Sequence, residues 1–421
     1  MNGLGVLNSS RAGRVMRLAL TLGVLVAVPL LRPMGAAEEE PEDLRNRSFQ
    51  EIEALARGTE VRFYMWGGSD TVNRWIDGYV SREMMERYDI SVTRVPMDAP
   101  VFVNKLLTEK QAGRETGTID LVWINGENFR TAREADVLYG PFTDMLPNFT
   151  RSVDAATAET DAGFPVEGYE APWGRAQFNF DVDTARAPDY PTSFEELLSW
   201  VEDNPGRFTY PQPPDFTGSA FVRQAFYAVT GGYEQYQDGF DRELFEENAP
   251  ALWDYLNALE PHLWQEGQSY PRDLAALDTL FERGEVDVTM SFTQTNAATR
   301  IANGRYPDTV TSFVMTDGSL FNTHFTAIPF NAPNTAGALV LANFLLSPEA
   351  QLSKNRLENW GDFTVLALDQ LPGEYRDRFQ ALDLGSATVP PADLDRYGVP
   401  EIPSEYWEAL ERGWDEHVRV R

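Results

Sequence analysis

The chain has 421 residues, 43% hydrophobic and 24% charged, enough for one large or two ordinary domains with cores of their own. Its formal charge is −30 and it contains no cysteine. The charge opposes binding to nucleic acid or anionic lipid, and the absence of thiols excludes disulfides, thiolate metal sites and a lipid anchor on cysteine.

The N-terminus reads as an export signal. Arg11, Arg14 and Arg17 precede the apolar run LALTLGVLVAVPLL (18–31), and Gly35, Ala36 and Ala37 offer a small-residue exit. The run falls short of the roughly 20 residues that span a bilayer, and it contains Pro29. Cleavage near Ala37 makes 1–37 a signal peptide and places the mature chain in a bacterial periplasm; the alternative is a retained membrane anchor. Losing the four signal arginines takes the formal charge from −30 to about −34. Three lysines (Lys105, Lys110, Lys354) stand against 65 acids. That balance fits a cationic ligand or adaptation to salty surroundings, so charge alone names no ligand.

Strand-like and helix-like runs then alternate. VRFYM (61–65), ISVTRVP (90–96) and IDLVWI (119–124) read as strands, separated by the amphipathic stretches VNRWIDGYVSREMMERY and VFVNKLLTEKQAG. This pattern predicts a parallel α/β sheet, whose ligands bind at the carboxyl ends of the strands. Those ends are WGGSD, PMDAP and NGEN. After the extended run EAPWGRAQFNFDVD (170–183) comes a second block of helices and strands. NTHFTAIPFNAPNTAGALVLANFLLSPEAQ (322–351) then gives a returning strand and an apolar helix, and the tail is helical and aromatic-rich. The whole predicts two lobes joined by more than one crossing: 38–175 plus 325–421, and 176–324.

Several chemistries lack their signatures. There is no Walker loop, no G-x-S-x-G and no H-E-x-x-H. His262, His324 and His417 are far apart in sequence and make a poor transition-metal set, so no metal site and no cofactor are expected. Two other readings stay open: a secreted hydrolase using two carboxylates, and a ferric-ion binder using tyrosines and carboxylates.

YMWGGSD, IDLVWINGENF, VEGYEAPWGRAQFNFD, NPGRFTYPQPPDFTGSAFVRQ, the 322–351 segment and WGDFTVL together resemble the YnjB family. These are periplasmic solute-binding components of ABC importers, labelled as serving thiamine transport. The resemblance implies a type II periplasmic-binding-protein fold, two lobes on hinge strands, and no catalysis. It also implies capture of a small organic solute, thiamine or a related ring compound, and delivery by a monomer to an inner-membrane ABC permease.

Candidate ligand contacts follow from the strand ends and helix starts. Trp66 offers an aromatic wall, Gly68 a close backbone approach, and Ser69 and Asp70 a polar helix start; the competing roles are core packing and helix capping. Asn125, Glu127 and Asn128 repeat this arrangement on the third strand. Trp173 is expected to stack across the solute from Trp66, and Arg175 to pair with a carboxylate or phosphate or with a neighbouring acid. Thr217 and Ser219, and Thr293 and Thr295, mark helix starts in the second lobe. Asn322 and His324 lie where the chain crosses back, His324 as a solute contact or a hinge histidine.

Overall fold

The computed structural model describes residues 44–419, so the signal-peptide segment lies outside the described residues. Among the described residues no helix is long and apolar enough to cross a membrane.

The first sheet forms where the sequence alternates. In β1 (Glu60–Met65) Val61, Phe63 and Met65 are buried while the residues between them are not. β2 (Ser91–Pro96) and β3 (Leu121–Ile124) flank β1 in parallel. The intervening helices start within two residues of the quoted amphipathic stretches. Ser69 caps Asp70–Arg74, which runs on through a π-helical stretch, Trp75–Val80, to Tyr88; Asp98 and Pro100 open Ala99–Gln111.

The extended run at 170–183 is two strands. β4 (Glu170–Gln177) belongs to the first sheet, and β5 (Asn179–Asp183) is the middle strand of a second, antiparallel sheet with β6 (Val288–Ser291) and β7 (Val310–Phe313). β8 (Ser319–Pro329) returns antiparallel to β4 along almost its whole length, then pairs with β3. The β4–β8 register shifts between His324 and Phe325, opposite Gly174 and Pro172, so Trp173 is an extra residue in the ladder.

Two main cores result. One holds Phe63, Trp75, Trp173, Phe344 and Trp360; the other holds Phe180, Tyr210, Phe221, Leu256 and Met290. β4–β5 and β8 are two crossings between them. A third lies between Phe379, in the first core, and Ala387, in the second. The tail therefore departs from the expected boundary, since Ala387 and buried residues from Val399 to Val418, among them Tyr406, Leu410 and Trp414, pack with the second core. Tyr406, Leu410 and Trp414 form an apolar stripe on the helix Ser404–Trp414, and Trp414 Nε1 donates to the hydroxyl of buried Tyr210 at 3.0 Å.

Beneath the crossings lies a buried ion pair. Lys354 Nζ donates to Trp173 O (2.6 Å), Asp362 Oδ2 (2.6 Å) and Phe363 O (2.9 Å). Burial lowers the Lys354 pKa, and Asp362 opposes that shift. Gly174 makes room, because a Cβ there would stand 2.2 Å from Asp362 Oδ2 and 2.9 Å from Lys354 Nζ. Lys354→Met, which strands the Asp362 carboxylate, should cost about 3–5 kcal/mol in urea denaturation. A loss below about 1 kcal/mol would show that water reaches the pair.

Candidate functional site

The first-lobe side of the site is built on the ends of β1 and β3. Trp66 follows β1 and is 46% exposed. Its ring folds back over Gly68, where a Cβ would lie 2.3 Å from Cζ2, so a side chain at 68 would displace the indole. Trp66 meets Trp123 edge-on, with centroids 6.4 Å apart. The Ser69 hydroxyl accepts Val72 N–H at 3.4 Å and is committed to capping; Asp70 is exposed.

Half-buried Trp123 leans on Trp173 (5.1 Å), His324 (4.8 Å) and Trp360 (5.9 Å). Asn125 Nδ2 donates to Asn322 Oδ1 at 3.1 Å, which joins β3 to the returning strand and leaves Asn125 Oδ1 and Asn322 Nδ2 without a protein partner among the described residues. Gly126 has φ +62°, and its N–H donates to buried Asp161 at 2.5 Å. The next helix, Glu127–Glu134, starts here with Glu127 and Asn128 half-buried. The Glu127 side chain has no hydrogen bond or ion pair among the described residues. Its carboxyl is pushed above the usual range by burial, then by Glu411 and Glu408, against Arg223 and Arg130.

The hinge corrects one expectation. Trp173 is fully buried in the first core, between Phe63, Trp75 and Trp360, so it cannot stack across a solute from Trp66. The extra residue at the bulge turns its ring inward. Arg175, two residues on, is exposed, and its guanidinium meets no acceptor among the described residues. His324 stacks on Trp360 with 22° between planes and centroids 5.8 Å apart, and its Nε2 lies 3.4 Å from Asp362 Oδ1, the geometry of a hinge histidine.

The second lobe corrects another. The helix Phe216–Thr230 does not offer its first N–H groups to a ligand, because Asp215 accepts both Thr217 N–H and Gly218 N–H at 3.0 Å. Thr217 and Ser219 are buried, and Ser219 Oγ donates to Glu411 on the carboxyl-terminal helix. Thr295 is fully buried and ties to Gly361 O at 2.9 Å, so it holds the lobes' junction. Thr293 stays half-buried, and neighbouring Gln294 donates to Arg175 O at 3.1 Å.

Sequence reading missed Phe216. It is 40% exposed, tilted on Phe292 (4.9 Å) and 6.1 Å from Trp407. An aromatic directly after a capping aspartate, in PPDFTGS, was the available signal. It missed Glu408 and Glu411 because nothing in the tail reveals which lobe it joins. Among the described residues no group of three or more His, Asp or Glu side chains is placed to hold a metal ion.

Known proteins place this architecture. The family model for the bacterial extracellular solute-binding protein matches residues 81–365. The chain belongs to that family. It is also 39% identical to Protein YnjB of Escherichia coli (strain K12) over 335 residues, 79% of this chain and 86% of that one. Solved structures of similar fold include the periplasmic binding protein AfuA from Actinobacillus pleuropneumoniae with fructose-6-phosphate bound (TM-score 0.58, 16% identity, 86% of this chain and 99% of that one). Another is the spermidine/putrescine-binding PotD of Streptococcus pneumoniae (0.58, 14%, 85% and 99%). A third is the apo ferric ion-binding protein A of Pasteurella haemolytica (0.58, 12%, 86% and 98%). The type II periplasmic-binding-protein fold follows. As a member of this solute-binding family, the chain is of the ABC-importer type.

Burial separates the two tryptophans. Trp173→Ala should cost this solute-binding protein about 3–5 kcal/mol, and Trp66→Ala no more than about 1 kcal/mol, by urea denaturation. Equal losses would mean that Trp66 is core after all.

Asp161 supplies a pH signature. Burial raises its pKa to about 8, against the Gly126 N–H, and Glu401 adds to the rise. Neighbouring Glu170 is also raised, by burial and by Asp161. Folded Asp161 stays protonated up to about pH 8, whereas the unfolded chain ionises it near pH 4. The resulting stability is full below about pH 4 and is lost as pH rises to about 8. Denaturation midpoints should therefore fall across that window, and the combined Asp161→Asn and Glu170→Gln variant should flatten the fall.

Proposed function

We propose that this protein captures a small organic solute bearing a flat ring between its two lobes and delivers it, as a periplasmic monomer, to an ABC permease. The observation that carries the reading is Trp66: a large indole, 46% exposed, at the carboxyl end of a parallel strand, with its ring against Gly68 and Trp123. A half-exposed indole supported on one side leaves the other face free for a ring. Phe216, contributed by the second lobe, takes the place across the solute expected of Trp173. Arg175, Asn128 and Thr293 supply polar contacts near the hinge and strand ends. Thiamine is one member of the ligand class, and the binding partners named for proteins of similar fold define the controls.

A thermal-shift screen tests this with thiamine and its phosphates, spermidine, fructose 6-phosphate and ferric citrate. A true ligand at 100 times its Kd stabilises by about 2.7 kcal/mol. Trp66→Ala should weaken a ring ligand by up to about tenfold, the equivalent of roughly 0.5–1.5 kcal/mol of stacking beyond area burial. Phe216→Ala should act in the same direction, and coupling between the two losses in a double-mutant cycle would place both rings on one solute. Unchanged affinity in both variants would remove the aromatic site. Tyrosine-to-iron charge transfer on iron loading would favour ferric binding, and turnover of an ester or glycoside would favour the hydrolase.

A further inference from the structure

The helix Glu127–Glu134 and the carboxyl-terminal helix Ser404–Trp414 meet along one edge, the first on the β3 end and the second in the other core. Arg130 joins them, donating Nη1 to Glu405 Oε1 at 2.9 Å and Nη2 to Glu408 Oε1 at 2.8 Å. Gly126 rests on the Trp407 ring, where a Cβ would come within 3.0 Å. One turn before Arg130 stands Glu127, unpaired and under the influence of Glu408 and Glu411.

On the second-lobe side, Arg223 is 1% exposed. Its Nε and Nη2 grip Glu401 at 2.8 and 3.1 Å, and its guanidinium lies 3.9 Å from the Trp407 ring centroid. Its Nη1 is buried with no acceptor among the described residues. A buried N–H without an acceptor is unfavourable, and so is a carboxylate pressed towards two others. The second lobe brings a buried N–H without an acceptor, and the first a half-buried carboxylate without a protein partner among the described residues, to the same junction.

We propose that Glu127 and Arg223 Nη1 join as an interlobe ion pair when the lobes close, which makes Glu127 a positioning residue for the closed state rather than a solute contact. The inference rests on the reading of the protein as one that closes around a solute. Arg130, on the same helix, is the pivot: its two carboxylates hold the helices together while Glu127 exchanges repulsion from Glu408 and Glu411 for a guanidinium. Gly126, next to Glu127, and the Arg223 guanidinium both pack on the Trp407 ring, so the motion required is a local rotation and not a refolding of either lobe.

The pair predicts a pH response of known sign. The charged groups facing Glu127 are Glu408 and Glu411 on the carboxyl-terminal helix, Arg223 on the second-lobe helix and Arg130 on its own. Glu401 neutralises part of Arg223, and Asp161 holds the adjoining Gly126 N–H. Burial and the two glutamates raise the Glu127 pKa here; pairing with Arg223 lowers it. The closed state therefore binds fewer protons, gains population as pH rises through the Glu127 titration and loses it as pH falls.

Because the chain has no cysteine, Glu86→Cys and Asp238→Cys place two spin labels at exposed positions, one per lobe. Pulsed dipolar distances on the ligand-free full chain should show a shorter population that grows as pH is raised through and above the usual carboxylate range. In Glu127→Gln that population should be about fivefold smaller and insensitive to pH, and Glu127→Asp should retain the pH response. Arg223 is left intact because its Glu401 pair is buried and its loss would confound folding with closure. Two populations unaffected by Glu127→Gln would overturn this proposal alone. A single distance at every pH in the ligand-free chain would also overturn it, and a single distance with a bound solute as well would overturn the closing of the lobes.

Discussion

The ammonium of Lys354 is wholly buried, and its three protons go to Trp173 O, Asp362 Oδ2 and Phe363 O. Those acceptors belong to the hinge strand and to the WGDFTVL segment, while Lys354 itself sits on the helix Pro348–Asn355. One cation therefore ties three chain segments at the place where the lobes join. The arrangement needs Gly174, since any side chain there would enter the ion pair. It also fixes the bulge that turns Trp173 into the core, and Asp362 reaches on to His324. A charge buried at this depth is stable only while all its donors are matched, so the hinge has little freedom at Lys354. Motion between the lobes must be absorbed elsewhere along the crossings.

That rigidity explains which candidate residues remain free for a solute. Groups close to the hinge are largely spent on one another: Asn125 Nδ2 on Asn322 Oδ1, Thr295 on Gly361, Gln294 on the Arg175 carbonyl. Helix starts are closed by their own caps, Ser69 in the first lobe and Asp215 in the second. The side chains left for a solute lie further out, at Trp66 and Arg175. An aromatic face and one guanidinium form a mixed set. Such a set selects by shape and by the placement of charge rather than by net charge, although the whole chain is strongly acidic.

The carboxyl-terminal helix gives the acidity a local meaning. Its apolar stripe belongs to the second core, while Glu405 and Glu408 reach to Arg130 of the first lobe and Glu411 accepts the Ser219 hydroxyl. Packing and charge thus act on different faces of one short helix. The lobes touch through polar, partly exposed contacts there, which are weaker and more easily rearranged than the apolar cores on either side.

Sequence periodicity and strand-end chemistry determined much of this protein. Alternation in VRFYM, the helical spacing between strands and the loop residues after them were enough for the α/β class, and the quoted segments were enough for the family. Local rules also offered Ser69 a cap as the alternative to a solute contact, and the structure gives it the cap. Other features depended on contacts between residues distant in sequence. Trp66 and Trp173 look alike as tryptophans beside glycine, yet one is 46% exposed and the other fully buried, because a β-bulge and a buried lysine decide which way the second points. The tail's apolar stripe announced a helix but not its partner core, since amphipathicity specifies a face to be covered and not what covers it. Whether Asp215, Asn322 or Glu127 has a polar group left over was decided only when the chain closed on itself and each donor found its nearest acceptor.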